Sequence, residues 1–354
     1  MYKLLIKRQT KLTMKHFSTR RDFIKNSTLA ATGVSLGLTS CHLNTGNKTS
    51  KTDTYLERRE QLYSLLCDLP PRDRKIGVKV DNIERKNGFV LEKLLLDLNG
   101  QQQVPAWFAL PENIKGPVPA ILFSHSHGGN YKLGKDELIQ GNTYMPETPY
   151  AEALTQMGYC VLSIDHWIFG ERSGRGELDF FKETLWRGQC LWGMMVYDSL
   201  RAMDYLCQRP EVDVSKIGAI GMSMGSTMSW WVAALDTRVK ACADICCLTD
   251  FDALIEDGGL NRHGVYYFVP SLLKYFSTTD INMLIAPRAH LAIAGNLDKL
   301  TPLPGLHKID QALKKEYDRL GAADKWKLNI YDIGHFETPE MRKDLLAFLK
   351  RELG

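Results

Sequence analysis

The stretch Gly221-Met222-Ser223-Met224-Gly225 restricts what this chain can become more than any other. An apolar run, 217–222, leads into it and a helix-compatible run, 224–234, leads out. A serine set between flanking glycines at such a junction predicts a sharp strand-to-helix turn. There the two elements pass so closely that only a hydrogen fits in place of a side chain. The helix behind the serine presents unpaired N–H groups and a positive dipole end to charge developing near the hydroxyl. The turn therefore presupposes a buried strand, a sheet around it and helices packed on that sheet.

The rest of the chain supplies them. Runs 119–124, 159–165, 239–248, 290–294 and 327–331 read as strands, with helices at 150–157, 305–320 and 339–352. A longer helical stretch covers 178–209, with a break expected near Gly193. Continuous apolar strands alternating with helices specify an α/β fold, a mostly parallel central sheet with helices on both faces. Sites in such sheets lie at the carboxyl ends of the strands. Ahead of this block a helix is expected over 55–67. Segments 75–80, 89–98 and 104–110 read as a short antiparallel extension punctuated by Asn87-Gly88 and Asn99-Gly100. The domain is thus expected to span 54–354, with 54–115 as its N-terminal extension.

A hydroxyl is a weak nucleophile at neutral pH and needs a base, which in turn needs an orienting acid. In this arrangement the acid and then the histidine follow the serine along the chain. Asp298, in the loop 294–302 after a strand, and His335, between the last strand and the last helix, meet that order. Asp250 and Asp252 are the fallback acids. Ser124-His-Ser-His-Gly-Gly-Asn130 follows another strand end. Its glycine-rich backbone is expected to present the His127 or Gly128 N–H to an oxyanion, with the Met224 N–H as the second donor. His125 and His127 also have the spacing of a metal pair, yet no further ligand is suitably spaced, so no metal or cofactor is expected. Asp165, His166 and Arg172 sit at the next strand's end and either line a pocket or anchor a loop. Trp167 and Trp186, with the aromatic segment 261–276, are candidate platforms for a sugar ring and equally candidates for the core.

From about residue 76 onward the chain resembles the α/β-hydrolase superfamily, in its dienelactone-hydrolase-like, acetyl xylan esterase-like branch. The resemblance rests on the 125–130 loop, the 221–225 pentapeptide and Ile285-Ala-Pro-Arg288. It rests also on Asp298 with Thr301-Pro302, and on Gly334-His335. It implies a serine carboxylic-ester hydrolase working through an acyl-enzyme and removing acetyl groups from a polysaccharide or oligosaccharide. Two departures stand out. Ser126 occupies a position where glycine is frequent, and Ser223 replaces the cysteine of dienelactone hydrolases, which argues against that activity. The alternatives are a prolyl-oligopeptidase-type serine peptidase and a non-catalytic glycan-binding lipoprotein. The first needs a gating domain of several hundred residues; the second usually lacks a member of the triad.

Residues 1–40 carry eight Lys or Arg and one acid, Asp22; without them the formal charge of +4 becomes −3. A near-neutral remainder leaves no footprint for nucleic acid. Thr19-Arg20-Arg21-Asp22-Phe23-Ile24-Lys25 followed by the weakly apolar stretch 29–38 resembles a twin-arginine export signal, with Met14 as a possible start. Leu38-Thr39-Ser40-Cys41 resembles a lipobox, making Cys41 the expected lipidation site and the lipid the expected membrane contact. Residues 41–53 then read as a tether. These features together place the chain in the bacterial cell envelope, on the periplasmic face of the outer membrane. Seven further cysteines show no regular spacing and no disulfide framework; most read as small buried hydrophobes.

Overall fold

The computed structural model describes residues 51–86 and 88–354. The expected signal segment, Cys41 and most of the tether lie outside them. Nine strands are described: β1 (Gly77–Lys86), β2 (Phe89–Asp97), β3 (Val104–Pro111), β4 (Val118–Ser124), β5 (Cys160–Ile164), β6 (Val212–Met222), β7 (Val239–Ile245), β8 (Ala289–Gly295) and β9 (Trp326–Tyr331). They form one sheet in the order β1-β2-β3-β5-β4-β6-β7-β8-β9. Strands β5, β4, β6, β7, β8 and β9 run parallel, while β1, β2 and β3 join through antiparallel ladders.

Strand β4 shows why the runs are apolar throughout. Ala120 and Leu122 enter one core, and Ile121 and Phe123 enter the other. Helices α5 (Leu191–Leu206), α6 (Met224–Leu235) and α9 (Leu303–Arg319) line the first face. Helices α3 (Tyr150–Gln156) and α10 (Pro339–Leu353) line the second. A strand buried on both faces has no polar side to display.

Three expectations need correction. Helix α1 (Lys51–Ser64) begins inside the segment read as tether. Strand β1 continues past residue 80 to Lys86 although its sequence is polar, because it is an exposed edge strand that packs on nothing. Its charges and the irregularity between Val80 and Asn82 suit an edge that must not recruit further strands. The long helical stretch breaks at 187–190 rather than at Gly193, giving α4 (Glu177–Trp186) and then α5. Gly193 lies inside α5, where a Cβ would come within 2.2 Å of the Leu66 carbonyl oxygen. The glycine marks a chain crossing rather than a helix end. Between α2 (Glu137–Gln140) and α3, and again between α7 (Phe251–Glu256) and α8 (Thr278–Met283), irregular segments cross the carboxyl edge of the sheet.

Candidate active site

Ser223 sits at the tip of β6 with φ 58° and ψ −119°, a left-handed conformation costly for a residue with a side chain. The surroundings enforce it. A Cβ on Gly221 would lie 2.5 Å from the Ser124 carbonyl oxygen, and one on Gly225 only 1.9 Å from it. Both glycines of the pentapeptide are therefore required by the crossing of α6 against β4. The Ser223 side chain caps nothing in α6, and its hydroxyl is left for other work. Met224 is the first residue of that helix, so its N–H has no intrahelical acceptor.

The loops after β8 and β9 bring Asp298 and His335 together. His335 Nδ1 and Asp298 Oδ2 are 2.7 Å apart. The Leu300 N–H donates to Asp298 Oδ1 at 2.9 Å, fixing the carboxylate. With Nδ1 taken up by Asp298, Nε2 is the nitrogen left to exchange a proton. The fallback acids have other tasks. Asp250 caps α7, accepting the Ala253 N–H at 3.0 Å, and both Asp250 and Asp252 face Lys308. Cys246 follows β7 at φ 56°, its sulfur packed beside Asp298 and His335, and burial pushes its thiol pKa well up.

After β4 the chain turns through the expected oxyanion loop. The Ser126 N–H donates to Glu137 Oε1 at 2.9 Å, and the Gly129 N–H donates to His127 Nδ1 at 3.1 Å. The His127 and Gly128 N–H groups have no acceptor among the described residues, which leaves them as the candidate donors. His125 does not pair with His127 as metal ligands would. Its Nδ1 meets the Ser126 carbonyl at 2.9 Å and its Nε2 accepts the His166 N–H at 3.2 Å. That pattern is a neutral ring, and burial holds its pKa down at about 4.

Glu137 escaped the sequence reading. Its buried carboxylate receives the Ser126 N–H, the Ser126 hydroxyl and the Asn142 amide, the last at 2.6 Å. Asn142 Oδ1 in turn accepts the N–H groups of Tyr144 and Met145 at 2.7 and 2.9 Å. Tyr144 packs edge-on to His335, with ring centroids 6.2 Å apart, and against Phe336 at 5.4 Å. One buried carboxylate thus ties the oxyanion loop to the aromatic pair beside the histidine. Phe336 was within reach as the neighbour of His335; nothing in the irregular stretch 131–149 singled out Glu137 or Tyr144.

The remaining candidates separate. Arg172 is a loop anchor: it pairs with buried Asp198 at 2.8 Å, bonds the Asp165 carbonyl at 2.9 Å and lies over the Trp167 ring. Asp165 holds Lys135, itself buried, at 3.1 Å. Trp167 is largely buried between Arg172 and Phe180 and lines a surface cleft with them, as expected of a pocket residue, while Trp186, at the end of α4, is 95% exposed. Of the aromatic segment, Tyr266, Tyr267 and Phe276 are buried, and Phe268 and Tyr275 reach the surface. Tyr266 stacks on His127 at 5.6 Å, closing that segment onto the oxyanion loop.

A mostly parallel sheet of this order, with a serine on the turn after its central strand, is the α/β-hydrolase fold. A chain carrying it with these residue types falls among the carboxylic-ester hydrolases. It belongs to the acetyl xylan esterase (AXE1) family, whose model matches residues 93–282, a span that contains Ser223 and stops short of Asp298 and His335. The chain is 50% identical over 297 residues to YtaP of Bacillus subtilis (strain 168), a hydrolase by name, covering 84% of this chain and 99% of that one. In fold it is similar to a glucuronoyl esterase from Solibacter usitatus (TM-score 0.67, 17% identity, 86% of this chain and 95% of that one). It is likewise similar to acetyl xylan esterase 1 from Thermoanaerobacterium sp. JW/SL YS485 (TM-score 0.57, 18% identity, 85% and 94%).

Proposed function

We propose that this esterase deacetylates polysaccharide or its fragments through an acyl-enzyme on Ser223. The observation that carries the reading is the 2.7 Å contact between His335 and Asp298, on the loops after β8 and β9, the second and third strands beyond β6 in the sheet. Ser223 Oγ attacks the acetyl carbonyl as His335 Nε2 takes its proton, and Asp298 stabilises the resulting imidazolium. The Met224 N–H and the His127 or Gly128 N–H receive the oxyanion. Collapse expels the sugar alcohol, protonated by His335. Water, deprotonated by the same nitrogen, then releases acetate and restores the serine.

The acetyl preference is supported by the family and by the closing of Tyr266 over His127, which narrows the space beside the oxyanion loop. Tyr144 and exposed Phe336 offer apolar faces for a sugar ring next to His335. The envelope location, with lipid on Cys41, is part of the same proposal and is supported by the 19–25 and 38–41 motifs. The test is kcat/KM across acetyl, butyryl and octanoyl esters, with acetate release from acetylated xylan and Ser223→Ala as control. Each added methylene should cost about 1–3 kcal/mol in specificity. Activity that rises with chain length without acetate release, or cleavage of a peptide amide in preference to esters, would overturn the reading.

A further inference from the structure

All seven described cysteines are free thiols, and two of them come together where the chain after α1 meets the start of α5. Cys67 follows α1 and forms an isolated antiparallel bridge with Gln189, reinforced by the Asp68 N–H donating to the Gly188 carbonyl at 2.9 Å. Cys190, the next residue, caps α5: its sulfur accepts the Gly193 N–H at 3.3 Å and lies 3.5 Å from the Leu66 carbonyl oxygen. Cys190 lies one residue along from the bridged pair, which puts its Cα roughly 6 Å from that of Cys67, still within the range a disulfide spans. The two thiols are unequal. Cys190 is fully buried, whereas Cys67 is half-buried and lines a surface cleft of ≈530 Å³ with Tyr63, Asp68, Pro70 and Arg72.

We infer that Cys67 and Cys190 are a redox pair that closes into a disulfide on reaction with a small disulfide oxidant entering by this cleft. The interaction between the two thiols brings the Cys67 pKa down to about 7, against burial acting the other way, while the same interaction and burial push Cys190 up. Cys67 is therefore the attacking thiolate at neutral pH and Cys190 the resolving thiol. In the first step Cys67 Sγ bonds to one sulfur of the oxidant, whose S–S bond breaks, and one small thiolate leaves. In the second, Cys190 gives up its proton and bonds to Cys67 Sγ, expelling the other small thiolate. The two cysteines are oxidised by two electrons, and the oxidant becomes two thiols.

The product staples the turn after α1 to the start of α5. That start carries Trp192, which stacks on Tyr266 at 5.8 Å, and Tyr266 stacks on His127. The staple closes a loop of more than a hundred residues, for which a rise of several degrees in Tm is expected. The inference is independent of the ester-hydrolase reading, because its readouts are thiols and stability rather than turnover.

The experiment treats the full chain, purified reduced, with glutathione disulfide. Thiol titration under denaturing conditions should show two thiols lost, and peptide mass mapping should find Cys67 joined to Cys190. Tm should rise and return on reduction, and Cys67→Ala should keep its thiols and show no rise. Cys190→Ala loses a helix cap, so the mass map of the wild type, which does not depend on any variant folding, decides the matter. Intact thiols, a stable mixed disulfide on Cys67, or a bridge between other cysteines would each overturn the inference.

Discussion

Wild type and Glu137→Gln should differ in stability by an amount that changes with pH. Glu137 is wholly buried behind the oxyanion loop, and burial raises its pKa to about 7 against 4.5 for the free side chain, despite the bonds from Ser126 and Asn142. Nearby Glu337 pushes the same way. A raised folded pKa means that the folded state keeps a proton the unfolded chain has already released. The stabilisation is complete below pH 4.5 and is lost as the pH climbs through about 7, a swing of about 3 kcal/mol. Glutamine cannot titrate, so the wild type's unfolding free energy relative to the variant should fall by that amount across this window. The wild type alone would conceal it. His125, depressed to about 4, stabilises the fold increasingly as pH rises from there toward 6.5, and His166, depressed further by burial, adds to that opposite slope. Both histidines are present in both proteins and cancel in the difference. The variant also carries a fixed penalty. Its amide NH2 faces the Asn142 NH2, and Asn142 cannot turn because its oxygen holds Tyr144 and Met145. A donor left unpaired there costs about 1–3 kcal/mol. Urea unfolding followed by tryptophan fluorescence, between about pH 4.5 and 7.5, measures both terms. A difference that stays constant with pH would refute the reasoning, since Glu137 would then ionise in the fold as it does in water.

Ser223→Ala, His335→Ala and Asp298→Asn should each lower kcat by roughly three to six orders of magnitude without adding in combination, whereas Asp250→Asn should leave kcat within about twofold; steady-state kinetics checks both. Gly225→Ala forces a Cβ to within 1.9 Å of the Ser124 carbonyl oxygen and should cost at least about 3 kcal/mol in denaturant unfolding, so an unchanged midpoint would contradict the elbow. A palmitate analogue should label the wild type in cells and not Cys41→Ala, and changing Arg20 and Arg21 to Lys should hold precursor in the cytoplasm. Unlabelled wild type would remove the lipoprotein reading.

What could be read from residues alone follows how locally each feature is determined. Strand β4 was legible because both faces of its run are buried, so six or seven residues state their own environment. The same logic failed for the far half of β1, where the ladder to β2 holds a polar segment that packs on nothing and leaves no pattern. Asp298 and His335, which the structure brings together, stood out beside Ser223 because the fold fixes the chain order of such residues and puts each on a loop just past a strand. Glu137 was not, because its importance lies in what it touches: Ser126 eleven positions before it and Asn142 five after it, brought together only by the folded loop. Gly193 looked like a helix end because its requirement, the nearness of Leu66, comes from a distant part of the chain. Trp167 read equally as sugar platform or core for the same reason, because the Arg172 and Phe180 contacts that fix its setting come from other parts of the chain. The candidate nucleophile, base and acid are thus written in motifs, while the groups that hold the loops around them in place are written in contacts. Variants at Glu137, Asn142 and Tyr144 are therefore where a sequence-guided choice of mutations would pass over residues that set the geometry of this site.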